Sequence, residues 1–125
     1  MARSNSPSCV SPARGVACIE GRSANWSNHS LSRGHVIAVP KRHVADFFQM
    51  TPQEQVAVLE LLREAHRLVD AEHSPDGYNI GVNIGKAAGQ SRMHVHVHLI
   101  PRYLGDVPNP KGGVRCVLAS EWKRP

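Results

Sequence analysis

Aromatic residues are scarce in this chain: two Trp, two Tyr and two Phe among 125 residues. Without aromatics interleaved among basic side chains there is no platform on which to stack the bases of a nucleic acid. Cysteine is scarce as well. Cys9, Cys18 and Cys116 show no C-x-x-C spacing, and any disulfide scheme leaves one over. That argues against a zinc finger or a disulfide-stapled secreted domain and sets the expectation of a reducing, cytoplasmic location. No apolar run approaches the length of a membrane span. The N-terminal stretch is rich in Ser and Arg and lacks the hydrophobic centre of a secretion signal. Acidic residues are outnumbered, 10 against 15 Lys and Arg, for a formal charge of +5. The basic residues are scattered, with Lys41-Arg42 and Lys123-Arg124 the only adjacent pairs. The surplus therefore suits a small phosphorylated ligand, with neither nucleic acid nor membrane as partner.

What is present suffices for one core. Hydrophobic residues make up 41% of the chain, near the globular norm. Residues 1–15 have little to bury and read as a flexible tail, leaving 16–125 as a single domain. Val16 to Ile19 has the makings of a short strand, and HVIAVP (35–40) those of a buried one. Thr51-Pro52-Gln53-Glu54 starts a helix: Thr at the cap, Pro at the first helical position, Glu closing a capping box. Val56, Leu59, Leu62, Ala65, Leu68 and Val69 then recur at helical spacing up to His73-Ser74-Pro75, and are the expected buried stripe. Strands are expected over 78–84 and 92–100, joined by the loop GKAAGQ. The sum is an α+β domain with an antiparallel sheet and one long helix.

The chemistry concentrates in MHVHVHLIPR (93–102). His94, His96 and His98 alternate with Val95, Val97 and Leu99. On a strand, residues two apart share a face about 6.5–7 Å apart, so the imidazoles would line one face and the aliphatics would pack on the other. Three readings compete. The row is a satisfied polar face, or a zinc or copper site, or an acid–base or nucleophilic centre. Adjacent strand positions do not readily converge on one ion, and no Asp, Glu or Cys neighbour completes a ligand set. An imidazole can instead attack phosphorus through a ring nitrogen. Gly85, Gly89, Gln90 and Ser91, just upstream, would offer backbone N–H donors to developing charge. His29, His66, His73 and, less clearly, His43 read as structural or solvated.

The stretch GQSRMHVHVHLI resembles the signature of the histidine triad (HIT) family, H-φ-H-φ-H-φ-φ with φ hydrophobic. Gly34-His35 followed by VIAVPKRHV, the TPQE helix start, DGYNIGVN, IPRYLGD and GDVPNPKGGVR are similar to segments of the branch that holds diadenosine polyphosphate hydrolases and the fragile histidine triad protein. The resemblance implies a HIT-like fold in a two-fold homodimer, and a nucleotidyl hydrolase or transferase needing no cofactor. It implies His96 as nucleophile, His98 and His35 on the α-phosphate oxygens, and His94 orienting His96 through a hydrogen bond. Asn83, Gly89, Gln90 and Ser91 would line the phosphate and leaving-group pocket. Upstream of Gly34 the likeness stops: SANWSNHSLSRG puts Ser27 or Asn28 near the ribose position, where relatives carry an acidic or amide residue. The paired cysteines of zinc-carrying members are absent, so no structural zinc is expected. Two rivals stand beside the enzyme: a nucleotide-binding protein with little turnover, and a metal-binding protein.

Overall fold

The structure, a computed structural model, describes residues 11–13, 17–20 and 32–118. Five strands form one antiparallel sheet: β1 (Ser11–Ala13), β2 (Ala17–Glu20), β3 (Val36–Pro40), β4 (Gly77–Val82) and β5 (Val97–Arg102), in the order β1-β2-β3-β5-β4. β1 falls inside the stretch read as a tail and pairs with β2 at Pro12↔Cys18. Helix α1 (Pro52–His73) links β3 to β4. β5 then returns between those two strands, with registers Ile37↔His98 and Gly81↔His98. No helix among the described residues is long and apolar enough to cross a membrane.

The helix begins where the sequence says it should. Thr51 Oγ1 accepts the Glu54 N–H at 3.1 Å, and the Glu54 carboxylate accepts the Thr51 N–H at 2.8 Å. It ends at Ser74, in the left-handed conformation just before Pro75.

The buried stripe differs from the expected one. Ala57, Val58, Leu61, Leu62, Ala65 and Val69 face the sheet, whereas Val56, Leu59 and Leu68 are exposed. The helix carries two overlapping apolar stripes, and only the sheet decides which one is covered. Against the buried stripe pack Ala17, Ile19, Val36, Ala38, Val95, Val97 and Leu99. Residues opposed across an antiparallel ladder share a face. His98, Ile37 and Gly81 therefore lie on the face away from the helix, beside a smaller buried cluster of Cys18, Ile37 and Val39.

Candidate active site

The expected alternation of the histidine segment is present. Val95, Val97 and Leu99 are buried under α1, while His94, His96 and His98 are half-buried between them. The strand itself starts later than position 92: residues 92–94 bend, and ladder pairing begins at Val97. The bend has a cause in the loop after β3. Val44 N–H donates to His94 Nδ1 at 3.3 Å, His94 Nε2 donates to the Pro40 carbonyl at 3.0 Å, and Val95 N–H donates to the Val44 carbonyl at 2.8 Å. A ring nitrogen that accepts from an amide bears no proton, so the His94 ring is the neutral Nε2–H tautomer.

The hydrogen bond expected between His94 and His96 runs through the backbone. The His94 ring faces the 40–44 loop, and it is the backbone carbonyl of His94 that accepts from His96 Nδ1, at 3.0 Å. A carbonyl can only accept, which places the proton on Nδ1 and the lone pair of the neutral His96 ring on Nε2.

His98 and His35 form a second unit. His35 Nε2 and His98 Nδ1 are 3.0 Å apart and share one proton along that contact. The His96 ring stands edge-on to His98, with centroids 5.0 Å apart. His35 was expected on phosphate oxygens. It is only 9% exposed and spends Nε2 on His98, so it stands behind His98 rather than beside a ligand. Its backbone N–H donates to the Ser32 carbonyl at 3.1 Å, and the turn leading into it is pinned as well. Ser32 Oγ donates to the Pro101 carbonyl at 2.7 Å, Tyr103 Oη donates to the Arg33 carbonyl at 2.7 Å, and the Arg33 guanidinium lies 4.5 Å from the Tyr103 ring centre.

Burial first, then the neighbouring His96 and His35, pushes the His98 imidazole down to about 4; burial also lowers His35. The unfolded chain's imidazoles titrate near about 6.5 and so take up protons that the folded rings refuse. Stability is therefore complete above about 6.5 and falls as the pH drops toward about 4. Thermal melting between those limits should show this slope, flattened in His98→Asn. A wild-type midpoint that does not move would rule it out.

The loop before the histidines is organised differently from expectation. Gln90 is 4% exposed. Its Oε1 accepts the Gly85 N–H at 2.8 Å, and its Nε2 donates to the carbonyls of Ala45 at 2.6 Å and Arg92 at 2.9 Å. The amide is consumed in holding the loop and does not face a leaving group. The N–H groups of Gly89 and Gln90 are likewise turned inward, onto the carbonyls of Lys86 and Gly85. Ser91 remains exposed at the end of this loop. Asn83 is exposed just past β4, and continuing the Val82↔Val97 register by one step brings it opposite His96. Ser27 and Asn28, the residues expected near a ribose, lie outside the described residues, as does His29.

Two features escaped the sequence reading. His43, read as structural or solvated without a partner being named, stacks on His94 with centroids 5.1 Å apart and planes within 10°. Arg42 forks onto Glu54, with bonds of 2.8 and 2.9 Å that hold the carboxylate below its usual range. Both belong to the PKRH turn, which carried a signal as a motif but not a partner. Among the described residues, no three His, Cys, Asp or Glu side chains are arranged to hold a metal ion.

A row of histidines on one face of an antiparallel sheet, with a single helix on the other, defines a histidine-triad domain. The HIT domain profile matches residues 10–105, and the chain belongs to this family. It is 33% identical over 104 residues to a Mycobacterium tuberculosis protein named AP-4-A phosphorylase, covering 73% of this chain and 53% of that one. It is 37% identical over 73 residues to the asymmetrical bis(5'-nucleosyl)-tetraphosphatase of Schizosaccharomyces pombe, covering 58% of this chain and 40% of that one. The chain thus spans about half the length of these relatives, or less. A solved HIT family protein from Bacillus anthracis superposes with a TM-score of 0.69 at 27% identity, over 84% of this chain and 72% of that one.

Proposed function

We propose that this protein is a nucleotidyl hydrolase or transferase that cleaves at the α-phosphate of a nucleoside phosphate derivative, a dinucleoside polyphosphate or a nucleoside phosphoramidate. The observation that carries this reading is the bond from His96 Nδ1 to the His94 carbonyl, which leaves Nε2 as the nucleophilic atom. The names of the two sequence relatives support the substrate class.

In this mechanism Nε2 of His96 attacks the α-phosphorus in line with the leaving group, whose P–O or P–N bond breaks. The product is a nucleotidyl-histidine. Water then attacks the same phosphorus, the P–Nε2 bond breaks, and a nucleoside monophosphate leaves. His98, with Nδ1 accepting from His35, presents Nε2–H to an α-phosphate oxygen and stabilises the charge gained in the transition state. Ser91 protonates the leaving group in this reading, and Asn83 binds a phosphate oxygen. Neutral imidazoles suit these roles, since the low affinity of His98 for protons keeps it a donor of a single N–H.

Incubation with a panel of dinucleoside polyphosphates and nucleoside phosphoramidates, followed by product analysis and intact mass at alkaline pH, tests the proposal. A covalent nucleotidyl adduct during turnover is expected. Tight nucleotide binding with neither adduct nor product would instead favour a binding protein.

We propose further that the domain works as a two-fold homodimer in the cytoplasm. Leu59 on the outer face of α1 is 59% exposed, and Ile80 on the edge strand β4 is 53% exposed. Tyr78 links the two elements through a 2.6 Å bond to Asp70. Leu59→Arg should shift the sedimentation coefficient from dimer to monomer. A wild-type protein that sediments as a monomer at all concentrations would remove the proposal.

A further inference from the structure

The loop of residues 40–45 touches the histidine segment at four points and is itself tied to the start of α1. Pro40, Val44 and Ala45 supply the backbone groups that bind the His94 ring, the Val95 N–H and the Gln90 amide. His43 lies flat on the His94 ring. Between these contacts sits Arg42, whose guanidinium forks onto Glu54 and also donates to the Gln49 carbonyl at 3.3 Å. The Glu54 side chain is only 7% exposed while that of Arg42 is 54% exposed, so what the pair offers is mainly geometry: the fork fixes the direction of the guanidinium.

Capping the helix does not need this pair. Thr51 and Glu54 complete the capping box between themselves. What Arg42 adds is an anchor for the loop, and everything the loop presents at positions 40, 43, 44 and 45 bears on residues 90–95. We propose that Arg42 and Glu54 are positioning residues for His96: their ion pair fixes the 40–45 loop, the loop fixes the His94 ring, and the His94 carbonyl thereby holds the proton on His96 Nδ1. The pair acts through other groups and touches no reacting atom. Loss of the anchor loosens the carbonyl, lets the His96 ring sample its other tautomer and tilts the lone pair of Nε2. A misplacement of about 1 Å at such a centre costs on the order of 10²-fold in rate.

The kinetic part of this inference rests on the reading of His96 as nucleophile; the tautomer part does not. The test uses the full chain labelled with ¹⁵N-histidine, the His96 signals being identified by their loss in His96→Ala. In wild type the His96 signals should report a protonated Nδ1 and an unprotonated Nε2. Arg42→Ala should move them toward a mixture of tautomers and lower kcat on the order of 10²-fold, with KM little changed. Arg42→Lys, which keeps the charge and loses the fork, should recover part of both. Thr51→Ala, which breaks the cap and spares the pair, should lower the melting temperature without altering tautomer or kcat. Should Arg42→Ala fail to fold, Glu54→Gln with Arg42→Lys carries the same comparison. An unchanged His96 signal in the Arg42 variants overturns the inference, as does an equal loss of kcat in Thr51→Ala. If no nucleotide in the panel is turned over by wild type, the tautomer signal alone decides.

Discussion

His96→Ala will abolish turnover while leaving nucleotide binding and the folded state in place. Removing one stabilising donor from a site of this kind costs on the order of 10²–10³ in rate. Removing the proposed nucleophile should cost more, because the ring nitrogens of the neighbouring histidines among the described residues are already engaged. The His94 ring accepts from Val44 and donates to Pro40, and the facing nitrogens of His98 and His35 are spent on each other. The fold should survive, since the bond from His96 to the His94 carbonyl is worth about 1 kcal/mol, and the buried core beside it is carried by Val95 and Val97. Single-turnover kinetics on the substrate identified from the panel, paired with equilibrium binding of the same nucleotide, measures both halves. A variant that keeps a tenth of the wild-type rate would sink the covalent mechanism, whatever its affinity.

Gly34→Ala is expected to have the largest effect on stability. Gly34 has φ +87°, and a Cβ there would sit 2.9 Å from both Val69 Cγ1 and His73 Cδ2, and 3.3 Å from Pro101 Cγ. An L-residue in this conformation costs roughly 1–3 kcal/mol. The forced shift adds to that, because Val69 is a fully buried residue of the helix core and cannot swing aside; overpacking of this kind costs typically about 1–3 kcal/mol. Together the loss is about 2–6 kcal/mol, a large share of the stability of a domain this size. Denaturant unfolding measures it directly, and a loss below about 1 kcal/mol would show that the backbone at Gly34 can relax. Activity should fall with it, because the next residue is His35, whose ring supports His98.

Much of this architecture could be read from local pattern. The start of α1 was legible because its capping box is local, written in Thr51, Pro52 and Glu54. The division of the histidine segment into a buried aliphatic side and a half-buried imidazole side was legible because alternation survives the bend at 92–94. The misreadings have a common physical origin. Which stripe of α1 is covered, where β5 begins, which way the Gln90 amide points and what His43 touches are all decided by residues far away in sequence. Gln90 looked like a pocket residue because it precedes the histidines, yet its strongest partner is the carbonyl of Ala45. A hydrogen bond from His94 to His96 was expected, but not that the His94 ring looks back to Pro40 while its carbonyl takes the His96 bond. β1 gave little notice at all: a three-residue edge strand containing proline has no periodicity to detect.

The strand order bears on how the chain reaches this state. β5 lies between β3 and β4, so those two strands, parallel to each other, have no partner between them until β5 enters. Two strands separated by a third stand about 9.5 Å apart, too far to exchange a hydrogen bond. During synthesis β3, α1 and β4 therefore emerge with a slot in the sheet, and the segment that fills it is the one bearing the histidines. Filling the slot closes the core and assembles the cluster together, so a closed sheet comes only with the histidines in place.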